Sequence, residues 1–200
     1  EITTRGEFYI CPLYNLMIQN GSKIDIKEVD KMHLMGTPDE LEFYLTHSLV
    51  KFGDKPIAIC ADHSGFDIKN KACDILKSKG IKYVDYGTFV DKDCDYNDYV
   101  SQAVDAVNRG FSDYIIAFCR TGQGVNIAGN KNKGIRAAVV YDEYAAEHAI
   151  RHNCANYFSV PSRVITSDTF SNMIDIWQQT TFDGGRHVPR ITKAEFNESV

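Results

Sequence analysis

The sequence predicts an α/β fold: a Rossmann-like three-layer α/β/α sandwich with a five-stranded parallel sheet, plus a small N-terminal appendage. From about residue 56, short apolar runs alternate with amphipathic helical stretches, and strands separated by helices need crossover connections that make them parallel. The chain has 200 residues, of which 44% are hydrophobic and 24% charged. This composition is that of a globular protein with one good core and room for an appendage.

The first fifty residues differ in character from the rest of the chain. Residues 7–21 carry apolar side chains at helical spacing and predict a short helix that ends at an Asn-Gly pair, and residues 23–35 alternate as an edge strand would. The segment GTPDELEFYL has Thr37 as a candidate N-cap, followed by Pro at the first helical position and Glu at the third. It resembles the C-terminal end of a sugar-phosphate nucleotidyltransferase, although the nucleotide loop and metal carboxylates of that enzyme are absent. The alternative is an appendage that simply packs on the main domain.

The regular part of the chain begins after a predicted linker at residues 51–55. Strands are predicted at 56–61, 81–86, 113–118, 135–140 and 156–160, and helices at 66–79, 97–109, 123–131, 142–152 and 167–180. We therefore expect an appendage over residues 1–50 and an α/β domain over residues 55–200. In such a domain the turns that follow the strands share one edge of the sheet, where ligands bind.

The net charge and the cysteine pattern indicate which kinds of ligand and partner the sequence argues against. The net charge of −5 argues against a nucleic-acid surface, although six of the eight arginines fall after Cys119. The six cysteines form no CxxC pair and no metal-ligand spacing, which predicts a reducing cytoplasm and no metal site. No apolar run approaches the ~20 residues of a membrane span, so we expect no membrane partner. The chain lacks an initiator Met, so we expect a fragment or a processed product.

The stretch from Ile115 to Lys131, IIAFCRTGQGVNIAGNK, is the strongest candidate for chemistry. A buried strand runs into Cys119 and then into a Gly-rich turn and a helix, which places free backbone N–H groups where an anion can sit. A thiolate can take a proton, and the amides can hold the negative charge that develops. Cysteine is also among the most buried residue types, so a purely structural Cys119 is the alternative. Neither GxGxxG nor the Walker motif is present.

Other strand-end turns add polar and titratable groups to this edge. Asp62 and His63 follow the first strand, Tyr96 lies after the second, and Asp142 follows the fourth. The Asp-His pair can equally be a helix cap with a neighbouring surface histidine. Its place beside the predicted Cys119 turn favours a functional role.

Eight motifs resemble one known family, in the same order and with matching gaps. They are ADHSGFDIK, DYGT, DYNDY, CRTGQGVNIAGNK, GIRAA, HNCAN, SRVI and FDGGRHVPRI. Over residues 55–195 the chain is similar to the ribose-5-phosphate isomerase B and galactose-6-phosphate isomerase family. The resemblance implies an aldose–ketose isomerase that interconverts ribose 5-phosphate and ribulose 5-phosphate through an enediolate, without a cofactor, as a homodimer or homotetramer.

The resemblance also implies a role for each site residue. Cys119 is the base, since the position at which some members carry a catalytic Glu is Val125 here. Thr121 and the loop amides stabilise the enediolate, and His152 helps to open the furanose ring. The catalytic candidates are Cys119, Thr121, His152 and Asp62; the substrate-binding candidates are His63, Tyr96, Gly122, Gln123, Gly124, Asn153, Arg163, Arg186, His187 and Arg190. The arginines and His187 match the phosphate side, part of which a neighbouring subunit supplies.

The elementary chemistry is consistent with these roles. Removing a proton next to a carbonyl requires one base and several fixed donors, and it requires no metal. Arg186 and Arg190 are four residues apart and face one way if the tail is helical, and a guanidinium binds phosphate through two hydrogen bonds. Solvated surface charge is the alternative for this pair.

One departure from the family leaves other functions open. Arg120 stands where the family usually has Gly, and a Gly with positive φ at this position would mean a strained loop in this chain. One alternative function is the same isomerisation on another pentose or hexose phosphate that feeds activated-sugar synthesis. The other is a non-catalytic sugar-phosphate-binding module, against which the joint presence of Cys119, Thr121 and His152 argues.

Overall fold

The structure is a computed structural model that describes residues 3–4, 7–8, 17–21, 23 and 50–196. The chain divides into two compact units, residues 1–32 and 33–200. No helix among the described residues has the length and apolar character needed to cross a bilayer.

The second unit contains a five-stranded, fully parallel sheet, which confirms the predicted fold class. Its strands are β1 (Ile57–Ala61), β2 (Tyr83–Asp85), β3 (Ile115–Cys119), β4 (Ala137–Val139) and β5 (Tyr157–Pro161), in the order β2-β1-β3-β5-β4. Its helices are α1 (Phe66–Ser78), α2 (Tyr96–Asn108), α3 (Gln123–Asn130), α4 (Glu143–Asn153), α5 (Ser167–Gln179) and α6 (Val188–Phe196), with 3₁₀ turns at His63–Gly65 and Gly185–His187. All ten predicted strands and helices of this domain are present, with ends within two residues of those expected.

The core is divided between the two faces of the sheet. Every residue of β1, β3 and β5 is buried, as expected for central strands covered on both sides. On one face, Phe118 and Phe158 pack with apolar residues of α1, α4 and α5, among them Trp177. On the other face, Ala117, Cys119 and Tyr157 pack with residues of α2 and α3. Cys119 therefore lies on the α2/α3 face.

The predicted linker at residues 51–55 is wrong. Phe52 is only 7% exposed, and its ring centroid lies 5.2 Å from that of Tyr114 and 5.4 Å from that of Trp177. The linker is predicted from composition, because polar residues and a Gly-Asp pair surround this aromatic side chain. The segment is an anchored turn of the core because the ring buries a large apolar area.

The helix predicted over residues 7–21 is wrong at its start. Glu7–Phe8 pairs antiparallel with Thr3–Thr4, so this part of the chain is extended. Residues 17–19 are helical, and Gly21, with a φ of 81°, lies in the turn that follows. Over a few residues the same spacing of apolar side chains fits a helix or a strand, and here the pairing of the two strands decides between them.

Two further predictions in this region are not tested. The predicted edge strand over 23–35, apart from Lys23, and the capping box that begins at Thr37 lie outside the described residues. The division into an appendage over residues 1–50 and a domain over 55–200 also stays a prediction.

Candidate active site

The carboxyl end of β3 carries the candidate nucleophile. Cys119 is the last residue of the strand and is only 5% exposed. Its carbonyl oxygen accepts the Ser162 N–H at 2.9 Å, and the Arg120 carbonyl accepts the Arg163 N–H at 3.3 Å. These bonds tie the loop after β3 to the loop after β5, so the thiol projects from a doubly anchored strand end.

A left-handed glycine turns the chain from β3 into α3. Gly122 has a φ of 75°, and a Cβ added there would lie 3.3 Å from the Ser159 carbonyl oxygen. The positive φ favours glycine at this position, and the close carbonyl oxygen adds to this preference. The Thr121 hydroxyl accepts the Gln123 N–H at 3.4 Å, and the N-cap residue Gly122 has no side chain to bond the other first-turn amides of α3. The first-turn amides of this helix therefore lie just beyond the thiol.

Arg120 is not strained. Among the described residues other than glycine, only Cys154 has a positive φ, so Arg120 occupies an ordinary backbone conformation. The loop would be strained only if Arg120 had a positive φ, and it does not. The Arg120 side chain is exposed, and no salt bridge involves it in the described part of the chain.

The loop after β1 packs directly on the peptide that precedes Cys119. The Asp62 N–H donates to the Phe118 carbonyl at 3.2 Å, and a Cβ on Gly65 would lie 2.7 Å from the same oxygen. One carboxylate oxygen of Asp62 accepts from the Ser64 hydroxyl at 2.5 Å and from the Gly65 N–H at 3.0 Å. Asp62 thus acts as a cap for its own turn while it lies beside the thiol.

A cavity of about 610 Å³ opens at this edge next to His63 and Tyr96. The Cys94 N–H donates to His63 Nδ1 at 3.3 Å, and an Asp93 oxygen lies 3.3 Å from the same nitrogen. Nδ1 can accept the Cys94 N–H in the neutral ring, whereas a proton on Nδ1 would face the Asp93 carboxylate. Tyr96 packs against α3, since a Cβ on Gly124 would lie 2.9 Å from its ring. Tyr96 therefore lies between the cavity and α3, and neither Cys119 nor a residue of α3 lines the cavity.

The remaining predicted residues lie at the opposite edge of the sheet. Helix α4 runs back from the carboxyl end of β4 and ends at Asn153, just before β5 begins at Tyr157. Tyr157 pairs with Ile115, which lies about 13 Å along β3 from Cys119 at a rise of about 3.3 Å per residue. His152 therefore lies beyond the amino edge of the sheet, and a single chain does not bring it to the thiol.

A second cavity, of about 630 Å³, lies at the amino edge, and Arg186 is not among its lining residues. Its lining includes His152, Asn153, His187, Arg190 and Arg136. It shares no lining residue with the cavity beside His63. The structure thus divides the predicted site residues into two groups: Asp62, His63, Tyr96, Cys119, Thr121, Gly122, Gln123, Gly124 and Arg163 at the carboxyl edge, and His152, Asn153, Arg186, His187 and Arg190 at the amino edge.

The amino-edge group is cationic. The rings of His152 and His187 stack with centroids 4.4 Å apart and planes at 10°. Burial of the His187 ring, together with His152, Arg186 and Arg190, lowers the pKa of His187, so this imidazole is neutral at pH 7. Arg186 and Arg190 are exposed, and no carboxylate among the described residues pairs with either of them. These two guanidinium groups are therefore available to an anion.

Sequence reasoning missed two carboxylates that touch the predicted histidines. Asp93 contacts His63, and Asp183 lies 3.8 Å from His152. Asp93 is one of several acidic residues in DKDCD, and no local signal separates it from its neighbours. Asp183 precedes the GGRH segment, but its contact with His152 spans 31 residues of chain and depends on the fold.

Comparisons with known proteins agree with this fold. The Ribose/Galactose Isomerase family matches residues 57–194, and the chain belongs to this family. Ribose-5-phosphate isomerase B of Escherichia coli is 37% identical over 137 residues, which cover 68% of this chain and 92% of that protein.

Solved structures show the same relationship. The crystal structure of a ribose 5-phosphate isomerase from Thermotoga maritima has a TM-score of 0.69 and 38% identity, and the match covers 72% of this chain and 99% of that one. Ribose-5-phosphate isomerase B from Mycoplasma genitalium, crystallised with bound ribulose-5-phosphate, has a TM-score of 0.68 and 34% identity, and the match covers 74% and 99%.

Proposed function

We propose that this protein is an aldose–ketose isomerase that interconverts ribose 5-phosphate and ribulose 5-phosphate. The observation that carries the proposal is the position of Cys119, at the end of a buried strand and beside the first amides of α3, in a chain of this family. Five described cysteines are free thiols, including Cys119, and we propose a reducing cytoplasm as the compartment that keeps them so.

The proposed reaction is a proton transfer between two neighbouring carbons. The Cys119 thiolate removes the proton from C2 of the open-chain aldose, and the electron pair moves through C1 onto the carbonyl oxygen to give an enediolate. The Thr121 hydroxyl and the amides that follow it stabilise the new negative charge. The proton of the C2 hydroxyl passes to the C1 oxygen, and the Cys119 thiol returns its own proton to C1 while the C2 oxygen becomes the ketone. The reaction needs a base and fixed donors, and no redox partner.

The complete site requires a second chain. His152, Arg186 and Arg190 lie at the amino edge of the sheet, whereas Cys119 lies at the carboxyl edge. We propose that the amino edge of one subunit covers the carboxyl edge of its partner in a homodimer, or in a homotetramer built from such dimers. Arg186 and Arg190 then bind the phosphate, and His152 helps to open the furanose ring. The cover also excludes water from the enediolate.

Replacement of the thiol tests the proposal. Cys119→Ser should lower kcat by about a thousandfold because an alcohol is a far weaker base than a thiolate. Cys73→Ser is the matched control, since Cys73 is a buried thiol of α1 on the other face of the sheet. The wild-type chain is assayed on ribose 5-phosphate, and both variants are checked for folding by thermal unfolding. A near-normal kcat in Cys119→Ser would contradict the assignment.

Another sugar phosphate is the second candidate substrate. The exposed Arg120 places next to Cys119 a cation that forms no salt bridge with the described residues, and it could hold a second anionic or polar group of a larger substrate. A panel of pentose 5-phosphates and hexose 6-phosphates, compared by kcat/KM in the same assay, distinguishes the two candidates. The non-catalytic alternative predicts sugar-phosphate binding with no turnover on any member of the panel.

A further inference from the structure

Asp183 is fastened to the C-terminal turn of α4 by both its side chain and its backbone. The Nε of Arg151 donates to both carboxylate oxygens at 3.2 Å, and Arg151 Nη2 lies 3.1 Å from one of them. The Asp183 N–H also donates to the Arg151 carbonyl at 2.9 Å. The carboxylate therefore has little freedom to move relative to the helix.

This fixed carboxylate faces His152. The Asp183 Oδ2 lies 3.8 Å from His152 Nε2, an ion-pair distance. The His152 ring is also held by stacking on His187 and by an edge contact with His148, whose ring centroid is 4.7 Å away. The His148 ring is itself held, because its Nδ1 lies 2.9 Å from the Tyr144 carbonyl oxygen. Nε2 of His152 is thus directed at Asp183, which leaves Nδ1 for another partner.

The other charged groups around His152 are cationic or are already paired. Arg151 precedes it on α4, and Arg186 and Arg190 surround its stacking partner His187. Arg151 Nη1, the guanidinium nitrogen that does not contact Asp183, donates to the Glu147 carboxylate at 2.9 Å. Glu147 forms no ion pair with His152. Among the described residues, Asp183 is the carboxylate that can offset this positive charge at the His152 ring.

We propose that Asp183 is a positioning residue for His152: its carboxylate, held by Arg151, fixes the imidazole with Nδ1 toward the substrate and stabilises the protonated ring. The inference rests on the proposed function, in which His152 of one subunit gives a proton to the ring oxygen of a furanose phosphate bound at the partner's Cys119 edge. A protonated imidazole surrounded by arginines needs a nearby negative charge.

The test compares Asp183→Asn with Glu147→Gln. Both substitutions remove the charge of a carboxylate that bonds Arg151, and only the first removes one that faces His152. Proton NMR follows the His152 ring signals, assigned by their loss in His152→Ala, between pH 5 and pH 8. At each pH the ring signals should differ from those of the wild type in Asp183→Asn, because the ring loses the carboxylate that faces it, and should match them in Glu147→Gln.

Kinetics on ribose 5-phosphate provide the second measurement. The value of kcat/KM should fall in Asp183→Asn only, because proton donation to the ring oxygen then lacks a positioned imidazole. No change in the NMR signals, or equal changes in both variants, overturns the proposal, as does an NMR change without a fall in kcat/KM. An inactive wild-type chain would refute the proposed function instead, because the NMR comparison does not depend on turnover.

Discussion

At the scale of single residues, His187 combines burial with a cationic neighbourhood. Its side chain is 8% exposed and lies between His152 and α6. Burial of the ring lowers the pKa of His187 first, and His152, Arg186 and Arg190 lower it further. In the folded chain this ring therefore binds a proton at lower pH than in the unfolded chain, where a histidine titrates near pH 6.5.

The sign of the resulting pH dependence follows from linkage. Between the folded value and about pH 6.5 the unfolded state binds more protons, so stability increases with pH in this window. The contribution of His187 is complete above about pH 6.5 and is lost as the pH falls toward the folded value. An acidic medium thus destabilises the tail that carries Arg186 and Arg190.

A substitution that removes the titrating ring should flatten this dependence. The free energy of unfolding, measured in urea at pH 7.5 and pH 5.5, should fall less on acidification in His187→Gln than in the wild-type chain. His148→Gln, on the same cluster of rings, serves as the control. An identical acid-induced loss in His187→Gln and the wild type would show that His187 does not contribute.

At the scale of elements, close backbone contact fixes the site loops. Gly65 ends the 3₁₀ turn after β1 and lies against the last peptide before Cys119. Its φ is −100°, a conformation open to any residue, so only space forbids a side chain there. The turn that carries Asp62 and His63 is therefore held in place by the shape of β3.

Gly65→Ala should move the two loops apart. The added Cβ would lie 2.7 Å from the Phe118 carbonyl oxygen, so we expect a loss of about 1–3 kcal/mol in the free energy of unfolding and a lower kcat. Gly80→Ala is the control: it has open space but a φ of 71°, so it should cost about 1 kcal/mol through backbone strain and leave kcat unchanged. A Gly65→Ala variant with normal stability and kcat would show that β3 and the turn can separate without consequence.

At the scale of the whole molecule, the arrangement of the two residue groups predicts a shared site. Helices between parallel strands run antiparallel to them, so a residue at the end of α4 lies at the edge opposite to Cys119. We therefore expect a single chain to carry one half of the site at each edge. In an isologous dimer the carboxyl edge of each chain would meet the amino edge of the other, so that two complete sites would form.

Complementation between inactive variants tests this arrangement. Cys119→Ser and Arg186→Ala should each be inactive alone, and their heterodimer should carry one intact site and one doubly damaged site. A random equimolar mixture should recover roughly a quarter of wild-type activity, provided that the subunits exchange. Mass spectrometry verifies that heterodimers form. Heterodimers without activity would mean that Arg186 does not act in the partner's site or does not take part in catalysis.

The sequence alone was sufficient for the layered α/β fold and for the turn beside the thiol. Strand and helix periods are local, and so is the change from the apolar run of β3 to a Gly-rich segment that begins α3. The Gly-rich segment could be assigned to a turn, and the structure identified Gly122 as its residue with a positive φ. The candidate base could be located because a strand end is a local feature.

Only the tertiary structure decided which residues meet. It placed Phe52 in the core, joined Asp183 to Arg151 and His152, and separated His152 from Cys119 across the sheet. These relations join residues far apart in sequence or depend on the direction in which an element crosses the sheet. Local patterns carry neither kind of information, because the partner of a side chain is set by strand order and helix packing.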